Sequence, residues 1–274
     1  MVQLREQQLT TLRHDLTHTL KAKATAIQES IGNGTFEGVA LELLDPFRYI
    51  QHNPNVSSGR AAILALHDQL PVDTTRARVV RAFEDGDYGF VHVDYVLGVP
   101  VIAFDVHHFR DGRSIEHWDN LQETAASPNR SGRTMIDGET AITDRDRTAD
   151  NKLLIVRYVE DVLVRGKLDA CETYFEGKQL IQHNPHLEDG TDALLACLNE
   201  GRRMDAQRGT RYVALHKVLG EGNFVLAICE GFVDGVHCAM YDLYRIQKEK
   251  IVEHWDVIEA IPSVTERKNF NGKF

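Results

Sequence analysis

The sequence predicts an α+β protein made of two similar halves, each with about three helices followed by an antiparallel sheet. Two repeated strings carry this prediction. Ile-Gln-His-Asn-Pro begins at Ile50 and again at Ile181, and Glu-His-Trp-Asp begins at Glu116 and again at Glu253. The repeats are offset by 131 and 137 residues in a chain of 274, in the same order. Because His, Asn, Pro and Trp are uncommon residues, two such coincidences indicate an internal duplication.

Within the first half, the spacing of apolar residues changes from a helical to an alternating pattern. Leucines recur at steps of three and four residues, which predicts a first helix through Leu9, Leu12, Leu16 and Leu20. Further helices are predicted at 36–44 and 58–70. Beyond Pro71 the alternation of apolar and polar residues predicts four strands, at 78–83, 88–96, 99–109 and 114–122. Helices followed by strands are typical of an α+β unit.

The second half is predicted to repeat this order. A helix at 146–164 would be capped by Thr143 and stopped by Gly166. A further helix at 191–204 precedes strands at 212–219, 224–232, 236–246 and 251–258. The turn-rich segment 126–142 is predicted to link a first domain, 1–125, to a second domain, 143–274. The six extra residues of the second half are expected between its third helix and its strand hairpins.

The composition limits the expected partners and compartment. The chain has 41 acidic and 31 basic residues, which gives a formal net charge of −10. Because phosphate binding needs a basic surface, neither nucleic acid nor a membrane is an expected partner. The polar stretch at residues 1–16 predicts no signal peptide and no membrane span. The four cysteines lack Cys-x-x-Cys spacing, which indicates free thiols and a cytoplasmic location.

The order of motifs resembles a known family. The first half contains YIQHNP, GDYGFVHV and DVHHFRDGRSIEHWD, and the second contains LIQHNP, GNFVLAI and DLYRIQKEKIVEHWD. Both halves, over about 20–125 and 145–262, resemble SnoaL-like polyketide cyclases of the nuclear transport factor 2-like superfamily. The resemblance implies two cone-shaped domains in tandem, each with helices wrapped around a blind pocket on a curved sheet. It also implies an intrachain pseudo-dimer, and it leaves a further homo-oligomer open.

The hairpin between the last two strands decides whether three polar residues of the first half can act together. If residues 110–112 form a three-residue loop with Gly112 in the left-handed region, Asp105 faces His117. Asp105, His117 and Asp119 then share one face of the sheet. A two-residue turn would split them. We predict the three-residue loop.

The same hairpin in the second half carries the equivalent residues. Asp242, His254 and Asp256 repeat the spacing of the first-half set. Lys248 and Glu249 stand where the first half has its glycine turn. The second turn is therefore expected to differ in type or to be strained.

The resemblance implies acid–base roles for these residues. A carboxylate desolvated in an apolar pocket acquires a raised pKa, whereas a nearby imidazolium opposes this, and such a group can carry a proton. The resemblance assigns the proton carrier to Asp119, and to Asp256 in the second half. The residues expected to tune these carriers or to bind a substrate oxygen are His117, Asp105 and His52, with His254, Asp242 and His183 in the second half.

Structural roles are the alternative for the same residues. Asp119 and Asp256 could serve turns at strand ends. The histidines before each proline could bond only to the backbone around the bend. Trp118 and Trp255 are expected to be core or interface anchors.

The two halves differ in their imidazole content. His92, Asp94 and His107 align with Ile228, Glu230 and Tyr244. Together with Asp105, the first-half residues could form a metal site, but their spacing fits no closed metal motif. No metal and no cofactor are expected. The second half has a softer wall made by Cys229, Cys238 and Met240.

Two functions remain open on the sequence. The first is a cofactor-free acid–base enzyme acting on a small apolar carbonyl compound, as an isomerase, a dehydratase or an aldol-type cyclase. The alternative is a non-catalytic small-molecule-binding or scaffold protein of the same fold, since this fold serves both classes. A pocket open to solvent favours the enzyme, and a pocket filled by aromatic side chains favours the alternative.

Overall fold

The computed structural model describes residues 19–71, 73–203 and 208–274, and in each half a layer of helices covers one face of a five-stranded sheet. The elements of the first half are α1 (Leu20–Asn33), α2 (Phe36–Leu43), β1 (Ile50–Gln51), α3 (Arg60–His67), β2 (Arg76–Asp85), β3 (Tyr88–Val96), β4 (Pro100–Arg110) and β5 (Arg113–Glu123). Those of the second half are α4 (Thr148–Tyr158), β6 (Ile181–Gln182), α5 (Thr191–Gly201), β7 (Thr210–Glu221), β8 (Phe224–Val233), β9 (Val236–Gln247) and β10 (Lys250–Ala260). The α+β class and its duplication are confirmed.

The first helix of each half begins differently from the prediction. Leu9, Leu12 and Leu16 lie outside the described residues, and α1 begins at Leu20, where the Thr19 side chain accepts a hydrogen bond from the Ala22 amide. Thr143 does not cap α4, because its amide donates to the side chain of Asn223. Instead, α4 begins at Thr148 and continues as a π-helical segment over Val159–Val164. Met204, the predicted end of α5, also lies outside the described residues.

The two sheets have the same strand order and bring the repeated strings together. The order is β1-β5-β4-β3-β2 in the first half and β6-β10-β9-β8-β7 in the second. The short strand β1 runs parallel to β5, with Ile50 opposite Glu116, and β6 pairs with β10 in the same register. The remaining pairs are antiparallel. Each Ile-Gln-His-Asn-Pro string therefore lies beside its Glu-His-Trp-Asp string.

The predicted three-residue turn is wrong. Arg110 pairs with Arg113 across a two-residue turn, in which Asp111 has φ 51° and Gly112 has φ 77°. A register shift beside Phe109 then leaves Ile115 as an extra residue in β5. Because this bulge adds one residue, Asp105 faces Asp119, and the polar residues share one face after all.

The second turn shows the expected strain. Lys248 and Glu249 form a two-residue turn of the same kind, with φ values of 50° and 61°. Neither residue is a glycine, so the side chains are held in a disfavoured backbone region.

The extra residues of the second half are spread over two places. The offset is 131 between Ile50 and Ile181, 136 between Gly86 and Gly222, and 137 between Asp105 and Asp242. Five residues are therefore added between the short first strand and the turn that joins the first two long strands, which agrees with the predicted location before the strand hairpins. The sixth is added between the second and third long strands, which the sequence analysis did not predict.

The two sheets pack against each other through their uncovered faces. The shared buried cluster includes Phe104 and Trp118 from the first sheet and Leu226, Tyr241 and Trp255 from the second. Trp118 and Trp255 are therefore buried anchors, as expected.

Contacts across this interface come in reciprocal pairs. The Arg81 guanidinium lies 4.3 Å from the centre of the Trp255 ring, and the equivalent Lys217 ammonium lies 3.7 Å from that of Trp118. The Gln122 side chain accepts from the Ile258 amide, and the equivalent Glu259 accepts from the Leu121 amide. Such reciprocity is typical of an interface with two-fold symmetry. Within the described ranges, no helix is long and apolar enough to cross a membrane.

Candidate functional site

The polar floor of the first half is built by the two repeated strings. Gln51 Nε2 donates to His117 Nδ1 over 3.0 Å, and Asn53 Nδ2 donates to Asp119 Oδ2 over 3.1 Å. The second half repeats the Asn184–Asp256 contact, at 2.6 Å, but its glutamine is turned round, so that Gln182 Oε1 accepts from His254 Nδ1 over 3.0 Å. The sequence analysis assigned no role to these amides, although they lie within the repeated string.

Asp105, His117 and Asp119 form one buried group. His117 Nε2 donates to Asp105 Oδ1 over 3.0 Å, and Asp119 faces Asp105 across the strand pair. One donor atom from each residue lies within 4.8 Å of the others, a spacing that a cation could also use. Asp119 is only 7% exposed and lies in the middle of β5, so the alternative of a turn aspartate at a strand end is wrong for it.

The electrostatics of this group favour a proton shared between a carboxyl and the imidazole. Burial raises the pKa of Asp105, and the charge of Asp119 raises it further, although the hydrogen bond from His117 opposes both. Burial alone would lower the pKa of His117. The hydrogen bond to Asp105 and the charges of both aspartates outweigh burial, so the pKa of His117 is raised.

An apolar cavity of about 260 Å³ opens above this group. Its walls come from α1, α3 and the inner face of the sheet, with Ile27, Ile63, Leu66 and Leu121 among the lining residues. No residue of α3 is fully buried, although Ile63 and Leu66 of this helix line the cavity. Asp105, His117 and Asp119 all line the cavity.

Two tyrosines add neutral donors to the cavity wall. The Tyr95 hydroxyl donates to Gln28 Oε1 over 2.8 Å and lies 3.4 Å from Asp105. The Tyr49 hydroxyl has no hydrogen-bond partner among the described residues, and Tyr49 lines the cavity. Burial raises the pKa of Tyr49 well above 10.0, and the charges of the two aspartates raise it further. Both phenols therefore stay protonated. The sequence analysis missed them because no repeat marks them.

The second half keeps the polar group but fills the space above it. His254 Nε2 donates to Asp242 Oδ1 over 3.0 Å, and burial raises the pKa of Asp256. The remaining void is only about 10 Å³ and is enclosed by Tyr158, Tyr212 and Tyr244 with apolar neighbours. Tyr244 stands where the first half has His107, and its ring stacks on His254 at 4.9 Å.

His52 and His183 lie away from the cavity, contrary to expectation. His52 stacks on Trp118 and contacts Glu116 Oε1 and the Gly272 carbonyl, each at 2.8 Å. His183 stacks on Trp255 and contacts Glu253 Oε1 at 2.9 Å. Both turn towards the sheet interface because adjacent residues alternate in direction at the bend. The neighbouring Asn53 faces the cavity instead.

The alternative metal cluster is not assembled. His92 and Asp94 lie on one face of the sheet, where His92 bonds to the buried Arg81 and Asp94 pairs with Arg78 at the surface, whereas Asp105 and His107 face the helices. Alternation along β3 and β4 separates the two pairs by the thickness of the sheet.

Comparison with known proteins finds no matching family model and no matching curated protein. Among solved structures, the chain is similar to IdmH from Streptomyces antibioticus, a proposed polyketide cyclase, with 18% identity and a TM-score of 0.33 over 38% of this chain and 93% of that one. It is similar to a proposed ketosteroid isomerase from Kribbella flavida, with 22% identity and a TM-score of 0.34 over 46% of this chain and 91% of that one. It is also similar to a proposed SnoaL-like polyketide cyclase from Jannaschia, with 19% identity and a TM-score of 0.30 over 36% of this chain and 83% of that one.

Proposed function

We propose that the first half is a cofactor-free acid–base enzyme that enolises a small apolar carbonyl compound, and that the second half is its catalytically silent partner. The observation that carries this proposal is the 260 Å³ apolar cavity directly above Asp105, His117 and Asp119. The matching group in the second half has a void of about 10 Å³.

The chemistry begins at Asp119. Its carboxylate removes a proton from the carbon next to the carbonyl, and the electron pair moves to the carbonyl oxygen. Tyr49, a neutral phenol on the cavity wall, donates a hydrogen bond to that oxygen. Return of the proton to a different carbon gives isomerisation, and loss of a β-hydroxyl gives dehydration. The Asp105–His117 pair supplies the second proton-transfer group.

Deuterium exchange into a simple ketone tests this proposal. We expect the protein to accelerate exchange of the α-protons of 2-tetralone in deuterium oxide, followed by proton NMR. Asp119→Asn keeps the side-chain shape and should reduce the protein-dependent rate by about 100-fold or more. Asp256→Asn is the matched control, because Asp256 is bonded to its own asparagine in the same way, and it should leave the rate unchanged.

The binding-protein alternative predicts a different pattern. In that case 2-naphthol, a planar mimic of the enolate, would bind in the cavity and change its fluorescence, while 2-tetralone exchange would stay at the buffer rate. Equal losses in both aspartate variants would also contradict the assignment of activity to the first half.

Three further features belong to this proposal. The reciprocal contacts between the sheets support an intrachain pseudo-dimer of domains 1–125 and 143–274, joined by the linker 126–142. The apolar cavity supports a small hydrophobic carbonyl-type ligand as the partner. The four unpaired cysteines support a cytoplasmic location.

A further inference from the structure

Each sheet is followed by an arm that crosses to the other half. The first arm (residues 124–144) follows β5 and bonds to the second half, where Asn129 Nδ2 donates to the Gln182 carbonyl over 2.7 Å. The second arm (residues 261–274) follows β10 and bonds to the first half, where Asn269 Nδ2 donates to the Asn53 carbonyl over 2.6 Å. The two halves therefore exchange arms.

The arms are copies of one motif. Asn129 accepts from the Ser131 amide and Asn269 accepts from the Asn271 amide, both over 3.0 Å. The glycine that follows has φ 79° in the first arm and 85° in the second. Residues 129–133 and 269–273 thus correspond, and a basic residue ends each motif, Arg133 in one and Lys273 in the other.

The two basic residues differ in burial and in their partners. Arg133 lies at the surface, 40% exposed, and pairs with Asp189 at 3.2 Å. Lys273 is buried, with 3% of its side chain exposed, and its Nζ lies 2.6 Å from Glu259 Oε2 and 3.8 Å from Asp119 Oδ1. The residue equivalent to Glu259 in the first half is the neutral Gln122. The buried cation Lys273 therefore lies beside Asp119, the aspartate that lines the cavity. The first arm places no such cation beside Asp256, because its basic residue, Arg133, lies at the surface.

We infer that Lys273, delivered by the second arm, is a positioning residue that places a positive charge beside the Asp119 carboxylate and keeps that carboxylate oriented towards the cavity. This role rests on the function proposed for the first-half cavity. It makes the first-half site a product of both halves, since its cation comes from the far side of the pseudo-dimer.

The surroundings of Asp119 explain how Lys273 acts. Asn53 occupies Oδ2, while Oδ1 is buried and has no hydrogen bond among the described residues. A cation 3.8 Å from this oxygen attracts it electrostatically and so restrains the orientation of the carboxylate. The charged and titratable groups that meet here are Asp105, His117, Asp119, Glu259 and Lys273, together with His107 and the phenols of Tyr49, Tyr95 and Tyr241. Lys273 does not line the cavity, so it acts through Asp119 and not on the ligand.

The protonation of His117 reports this arrangement without any ligand. The positive charge of Lys273 opposes protonation of His117. We therefore expect Lys273→Met to move the pKa of His117 upward in an NMR titration of protein with carbon-13-labelled histidine. The signal is assigned by its loss in His117→Gln. Lys273→Arg should restore the original titration because it keeps the charge. Arg133→Met, in the other arm, is the matched control and should leave it unchanged.

Two further measurements keep the outcome decisive. Lys273→Met leaves Glu259 buried without its partner, so the double variant Lys273→Met/Glu259→Gln removes the pair together and guards against unfolding. In the same variants, 2-tetralone exchange should fall at least about tenfold and return in Lys273→Arg. The double variant removes one charge of each sign, so its His117 titration is compared with that of Glu259→Gln, from which it differs only in the Lys273 charge. An unchanged His117 pKa in this comparison overturns the inference. A wild-type protein without exchange contradicts the proposed enzyme, but the titration still decides the role of Lys273.

Discussion

The two halves keep the same polar group but differ in the space above it, and the difference lies in a few aromatic positions. The tyrosine that reaches the aspartate comes from β3 in the first half, as Tyr95 on Asp105 at 3.4 Å. In the second half it comes from β7, as Tyr212 on Asp242 at 2.9 Å. Tyr244 then occupies the place of His107. A duplicated framework can therefore hold its polar residues in place while side-chain volume alone decides whether a ligand fits.

The largest expected difference between the halves is in how much unfolding free energy is lost when a side chain above the polar group is truncated. Tyr244→Ala should lower the free energy of unfolding by about 3–5 kcal/mol, because it opens a cavity in a closed core. Ile63→Ala, on the cavity wall of the first half, should cost about 1 kcal/mol or less, since that side chain already borders open space. Urea denaturation measures both. Similar losses would show that the first-half cavity is not a true void.

The interface cations should also differ. Arg81 is buried, and besides its stacking on Trp255 it donates to the carbonyl oxygens of Glu139 and Asp137. Arg81→Met should cost about 2–4 kcal/mol, because it leaves the Glu139 carbonyl and His92 without a donor, while the Asp137 carbonyl keeps its hydrogen bond from the Trp255 indole. Lys217→Met, at the equivalent position, should cost about 1 kcal/mol, the value of the cation–π contact. Equal costs in denaturant titrations would contradict this asymmetry of the interface.

Both buried imidazoles should make stability fall at alkaline pH. The pKa of His117 and that of His254 are raised above 6.5, although burial opposes this, because each pairs with an aspartate. Their contribution is therefore complete below pH 6.5 and is lost as pH rises through the raised values. His117→Gln and His254→Gln should each flatten the decrease in unfolding free energy as the pH rises above about 6.5. A curve unchanged by either variant would show that the corresponding ion pair does not form.

The smallest effect is expected at the hairpin turns. Lys248→Asn should stabilise the second half by about 0.5 kcal/mol, since asparagine tolerates the left-handed region better than lysine. Asp111→Asn in the first half should change stability very little, because aspartate already tolerates that region. Thermal midpoints of the two variants, measured side by side, check the difference. A loss of stability in Lys248→Asn would mean that the lysine makes a compensating contact.

The sequence by itself determined the duplication, the α+β class and the order of the elements. These follow from local information, namely apolar spacing and repeated strings, which is why the strands from β2 to β5 were predicted to within a few residues. It also singled out Asp105, His117 and Asp119 as one group. Their catalytic role stays a prediction. The repeated asparagine and glutamine were visible in the string, but their partners were not.

Only the tertiary structure decided the register, the cavity and the arms. Asp105 and Asp119 face each other because Ile115 forms a bulge, and a bulge depends on the pairing of two strands and not on the turn residues alone. The cavity exists because side chains from separate elements leave it unfilled. Lys273 reaches Asp119 from more than 150 residues away in the chain, across the sheet interface. Spacing along a chain predicts local geometry, whereas contacts between distant segments depend on how the halves pack.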